Sequence, residues 1–92
     1  MTRQQTETRD REDLKRSLTD AFRRAFPDGF VDISDGYADN IHVMVISHDF
    51  DHDTEQIKQE RLWHVIDHDT DLSDAEKGMI SLLYPLSPAE IK

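Results

Sequence analysis

Apolar residues fall into four blocks along the chain, each with its own spacing. In the first, Leu14, Leu18, Ala21, Phe22, Ala25 and Phe26 recur at helical intervals and draw one stripe on an amphipathic helix starting near Asp10. Asp10, Glu12 and Asp13 stand at its positive start and Arg23 and Arg24 near its negative end, as the helix dipole favours. Pro27 stops the helix, because the residue before a proline is pushed out of α geometry, and Asp28-Gly29 turns the chain. The second block, Phe30-Val31-Asp32-Ile33-Ser34, predicts a short strand. The third, Ile41-His42-Val43-Met44-Val45-Ile46-Ser47, is a nearly continuous β-branched run and predicts the central strand, with both faces partly covered. Asp35 to Asn40 joins these two as a long-looped antiparallel hairpin.

The fourth block is less regular. Thr54 or Asp53 caps a helix whose expected core side is Ile57, Leu62, Val65 and Ile66. Ser73-Asp74-Ala75-Glu76 has the reciprocal capping-box spacing and predicts a short helix ending at Gly78. Met79 to Tyr84 fits either a continuation of that helix or a third strand. The strand is preferred, because Gly78 and Pro85 bound the run and two strands alone make a marginal sheet. Ser87-Pro88-Ala89-Glu90 caps a last helical turn, with Ile91 expected to tuck inward.

Composition narrows the function classes. The 92 residues make one domain, read as a flexible tail over 1–9 and a folded unit over 10–92. The absence of cysteine removes disulfides, thiolate metal sites and cysteine nucleophiles. No apolar run reaches the ~18 residues of a bilayer span, and the polar N-terminus lacks a secretory signal, so a cytoplasmic location is expected. With 20 acidic residues against 11 Lys and Arg, the net charge of −9 opposes phosphate binding. The cations gather towards the N-terminus, where Arg16, Arg23 and Arg24 are the candidates for a nucleic-acid-binding alternative.

Several motifs, in order, resemble the BolA-like family from about Leu14 to Ile91. Val31-Asp32-Ile33-Ser34 looks like its Asp-x-Ser element, and Ile41 to Ser47 looks like its His-led strand ending in Val-Ser. Phe50-Asp51-His52 stands where Phe-x-Gly would be, and Gln59-Glu60-Arg61-Leu62-Trp63 stands near Arg-His-Arg. Leu86 to Ile91 looks like the closing motif. The resemblance implies an α+β fold, a small α-β-β-α-α-β-α sandwich similar to a type II KH domain, with a three-stranded mixed sheet and helices mainly on one face. It also implies a glutaredoxin-like partner and a shared [2Fe–2S] cluster. That cluster takes an imidazole from the last strand, where this chain has Met79, and a Cys or His from the loop 35–40, which has neither. No ligand is carried over and no cofactor is expected.

Two Asp/His groups are candidate cation sites. Asp49, Asp51 and Asp53, flanked by His48 and His52, are spaced like early EF-hand ligands, but Thr54 stands where that loop needs glycine. His64 and His68 are four apart and would share a helix face. His42 on the central strand reads as structural. No phosphate loop or nucleophile–base pattern occurs. The expected role is a non-enzymatic adaptor, monomeric or weakly dimeric, binding a protein partner through a sheet edge or helix surface. Trp63, Arg61, Met79 and Tyr84 are its candidate contacts.

Overall fold

The computed structural model describes residues 10–91. The tail expected over 1–9 lies outside them, as does Lys92. Helix α1 (Arg11–Ala25) is followed by strands β1 (Phe30–Asp35) and β2 (Ile41–Ile46). Helix α2 (Glu55–Asp69), the short α3 (Asp74–Lys77) and strand β3 (Ile80–Leu86) complete the order, with single 3₁₀ turns at His48–Phe50 and Pro88–Glu90. The result is α+β: a three-stranded mixed sheet in the order β1-β2-β3, antiparallel between β1 and β2 and parallel between β2 and β3. Among the described residues no helix is long and apolar enough to cross a membrane.

One core lies between the two helices and one face of the sheet. Leu14, Leu18, Ala21 and Phe22 of α1 and Leu62, Val65 and Ile66 of α2 meet Val31, Ile41, Val43, Val45 and Leu83 from the strands. Phe50, from the 3₁₀ turn, fills the end of this layer beside Phe26, with ring centroids 5.2 Å apart. The stripe predicted for α1 is the one it buries, although Ala25 sits at its margin. Gly29 is needed where the turn into β1 passes under β2, because a Cβ there would stand 2.8 Å from the Ile46 carbonyl oxygen.

Three expectations are corrected. Ile57 is 43% exposed, and Lys58 takes its place on the buried side of α2. Burial on that helix runs 58, 62, 65, 66, and 57 is five residues from 62, which turns it away. The last strand runs through Pro85, which pairs with Val45. Proline is tolerated because β3 is an edge strand and its missing N–H faces away from the ladder. Ile91 is exposed rather than tucked in, since the final turn is a single 3₁₀ turn that leads into extended chain.

Candidate functional site

The strand register divides the sheet's side chains into two faces. Val31, Val43, Val45, Ile41, Leu83 and Pro85 point to the helices. On the other face, the paired rows are Phe30–Ile46–Leu86, Asp32–Met44–Tyr84 and Ser34–His42–Leu82. A bulge between Ile41 and His42 sets the last row, since Ile80 pairs with Ile41 but Leu82 with His42. Without that extra residue, Leu82, Tyr84 and Leu86 would point into the core.

Among the described residues no layer covers this second face, which corrects the expectation that both faces of β2 are partly covered: both helices pack on the side of Val43 and Val45. Phe30 is 55% exposed, Tyr84 50% and Leu82 44%, while Met44, Ile46 and Leu86 between them are half-buried. The surface is therefore contiguous and apolar across all three strands, in a chain that is otherwise strongly charged. Its charged member is Asp32, and it holds no Lys or Arg. The imidazole of His42 packs over Gly36, where an added Cβ would collide with the ring.

The β3 edge of the sheet is blunted. Gln59 Nε2 donates to the Leu83 carbonyl oxygen at 3.0 Å, and Pro85 removes a donor from the same strand. At the other side, Arg11 and Lys15 of α1 reach Asp35 at 3.3 and 3.2 Å, and Arg11 also reaches Asp39 at 3.1 Å and the Asn40 carbonyl oxygen at 3.2 Å. Lys15, then Arg11, hold the Asp35 carboxyl below its ordinary range, and Asp35 in turn raises Lys15. The C-terminal turn is tied to α2 by a buried cation: Lys58 Nζ donates to Glu90 Oε1 and Oε2 at 2.7 and 2.8 Å. Lys58, helped by the Ser87 N–H, lowers the Glu90 carboxyl.

The four predicted partner contacts do not form one surface. Tyr84 stands on the open face, in its middle row but on the edge strand β3. Met79 is half-buried against the core. Trp63 and Arg61 are on α2, in the helical layer. Arg61 Nε lies 2.6 Å from Asp53 Oδ2, an ion pair whose angle misses hydrogen-bond geometry. Arg61 and His64 also line a shallow groove of about 450 Å³ with Phe26, Ile57, Glu60 and Asp69.

Among the nucleic-acid candidates, Arg16 donates to Asp13 at 2.7 Å. Arg16 and Arg23 line a surface hollow shared with Glu12 and Asp20, so the charge there is mixed. Arg24 is exposed near the end of α1. The α2–α3 connection, where a KH domain carries its glycine-rich phosphate clamp, is Thr70-Asp71-Leu72-Ser73, and Leu72 is buried in the core.

The Asp/His loop folds as a 3₁₀ turn. His48 Nδ1 lies 2.9 Å from Asp51 Oδ2, the Asp49 N–H is capped by the Ser47 hydroxyl, His52 is exposed, and Asp53 faces Arg61. On α2, the His64 and His68 rings meet tilted by 37°, with centroids 4.4 Å apart. Among the described residues no group of three or more His, Cys, Asp or Glu side chains is placed to hold a metal ion.

No protein-family model, curated protein or solved structure matches this chain.

Proposed function

We propose that this chain is a non-enzymatic adaptor of BolA-like type that binds a protein partner through the open face of its sheet. The observation that carries the reading is the uncovered apolar surface of Phe30, Met44, Ile46, Leu82, Tyr84 and Leu86. Contiguous apolar area of this kind, standing out from a charged surface, marks interaction sites in soluble proteins. The missing cations argue for protein over nucleic acid, whose affinity rests on phosphate neutralisation. The reading moves the contact from the sheet edge or helix surface suggested by sequence to the sheet face, keeping Tyr84 and adding Leu82, Phe30 and Leu86. Cluster sharing is not part of it, because Met79 offers a thioether packed against the core.

The test compares three immobilised forms of the chain: wild type, Tyr84→Glu on the face and Trp63→Asp on α2. Captured proteins are identified by mass spectrometry and rebound as purified components, with a purified monothiol glutaredoxin as a defined probe, with and without iron. The expected result is a partner lost with Tyr84→Glu and retained with Trp63→Asp. Partners held equally by both variants would overturn the assignment to the face, and a coloured [2Fe–2S] complex would overturn the exclusion of the cluster.

A further inference from the structure

We propose that, in the free protein, the open face is covered by a second copy of the same chain, giving a weak, reversible two-fold dimer in which two sheets pack face to face. This rests on the reading of that face as an interaction surface, and it names the occupant.

Three other occupants fit poorly. Nucleic acid would need cations on the face, and there are none among its residues. Residues 1–9 offer a single apolar side chain, Met1, against six apolar positions. A basic segment would find one carboxylate, Asp32, to pair with.

A second copy fits by register. Two sheets packed face to face keep their strands within about 30° of each other at about 10 Å separation. If the two-fold axis ran across the strands, β1 would lie over the second copy's β1 and Asp32 over Asp32, two carboxylates facing each other in an apolar contact. If the axis runs along β2, β1 lies over the second copy's β3. Phe30 then meets Leu86, Ser34 meets Leu82, and the Asp32 carboxylate meets the Tyr84 hydroxyl, an acceptor opposite a donor. The rows that define these pairings are those of the strand register. Each of these three pairings occurs twice, as a closed two-fold interface requires, while on the axis His42, Met44 and Ile46 of β2 each meet their own copy. The single charge on the face thus has a partner in one arrangement and a repulsive twin in the other, and the first is the one assigned.

Area sets the strength. Three strands of six, six and seven residues span about 20 Å by 14 Å, which with side-chain relief buries on the order of 400–500 Å² per copy. Stable complexes bury about 800 Å² per partner, so the dimer belongs with transient contacts, with a dissociation constant on the order of 100 µM. Such a contact shields the face when the chain is concentrated and yields it to a better-fitting partner.

The experiment is sedimentation equilibrium of the full chain from about 10 µM to about 1 mM, with circular dichroism and a melting curve on each variant to confirm the fold. The expected result is a weight-average mass rising from one chain towards two. Leu82→Asp and Tyr84→Glu, at exposed positions, are expected to raise the dissociation constant by roughly tenfold or more, and Trp63→Asp to leave it unchanged. Asp32→Asn is expected to weaken association several-fold. A strengthening by Asp32→Asn would overturn the axis along β2. Single-chain mass at the highest concentration would overturn the dimer, as would association that survives both face variants. Loss of the dimer with Tyr84-dependent partner capture intact refutes self-association alone. A dimer with no Tyr84-dependent partner refutes the adaptor reading alone.

Discussion

Ala38 has φ of 57°, in the left-handed region, at the tip of the loop that joins β1 to β2. The loop is closed by the Gly36 N–H donating to the Asn40 carbonyl oxygen at 2.8 Å and the Asn40 N–H to that of Tyr37 at 3.1 Å. A Cβ costs about 1–2 kcal/mol in that region, and glycine's extra unfolded-state freedom returns part of it. Ala38→Gly is expected to stabilise by about 0.5–1 kcal/mol, read as a rise in Tm of about 2–5 °C. Lys58 has a buried ammonium held by Glu90. Glu90→Gln leaves that charge with Glu55 at 3.9 Å as its remaining ionic contact. Lys58→Met removes the charge and keeps the apolar stem, while Glu90 stays partly in water. Glu90→Gln is therefore expected to lower Tm more than Lys58→Met. Neither feature was legible in the sequence. Ala38 carries no αL signature, and nothing in the order of residues joins Lys58 to a carboxylate thirty-two positions away.

At the level of elements, legibility followed periodicity. The stripe of α1 is strict, and its spacing alone identifies the buried set Leu14, Leu18, Ala21 and Phe22. The helix α2 mixes Lys58 into its buried row and leaves Ile57 and Trp63 outside it, so hydrophobicity alone selects the wrong residue at the first turn. Spacing would have corrected it, because 58, 62 and 66 lie on one line and 57 does not. Leu62 is fully buried in the shared core, whereas Ile57 faces the groove beside α1. Leu62→Ala is accordingly expected to cost about 2–5 kcal/mol in denaturant unfolding, and Ile57→Ala under about 0.5 kcal/mol. Strand β3 was placed, but its facing was not. The bulge against β2 decides whether Leu82 and Tyr84 look at the helices or at solvent, and a short apolar run gives no sign of a bulge. This is why the open face escaped sequence reading while one of its members, Tyr84, did not.

At the level of the whole molecule, net charge and the few perturbed groups act in different pH windows. With a charge of −9 at pH 7, self-repulsion weakens the compact state, and it relaxes as pH falls towards the carboxylate range. Asp35 and Glu90 act the other way. Their folded pKa values lie below the ordinary 3.8 and 4.5, so the stability they supply is fully present above those values and is lost as pH falls through the depressed ones. Lys15 is raised above 10.5, so its share is present below that value and lost as pH climbs past it. Between these limits the three groups are flat and the net charge governs. The melting temperature is therefore expected to rise from pH 8 to about pH 5–6 and to fall steeply below about pH 4. Added salt tests the same ledger of charge. The ion pairs of Arg11, Lys15 and Arg16 sit at or near the surface and contribute little each, whereas the repulsion is collective. Raising NaCl from about 20 mM to about 500 mM at pH 7.5 is expected to increase Tm, because a Debye length shortened from about 20 Å to about 4 Å screens the long-range repulsion more than the short pairs. A decrease in Tm would show that the network joining α1 to the β1–β2 loop outweighs the surplus of nine negative charges.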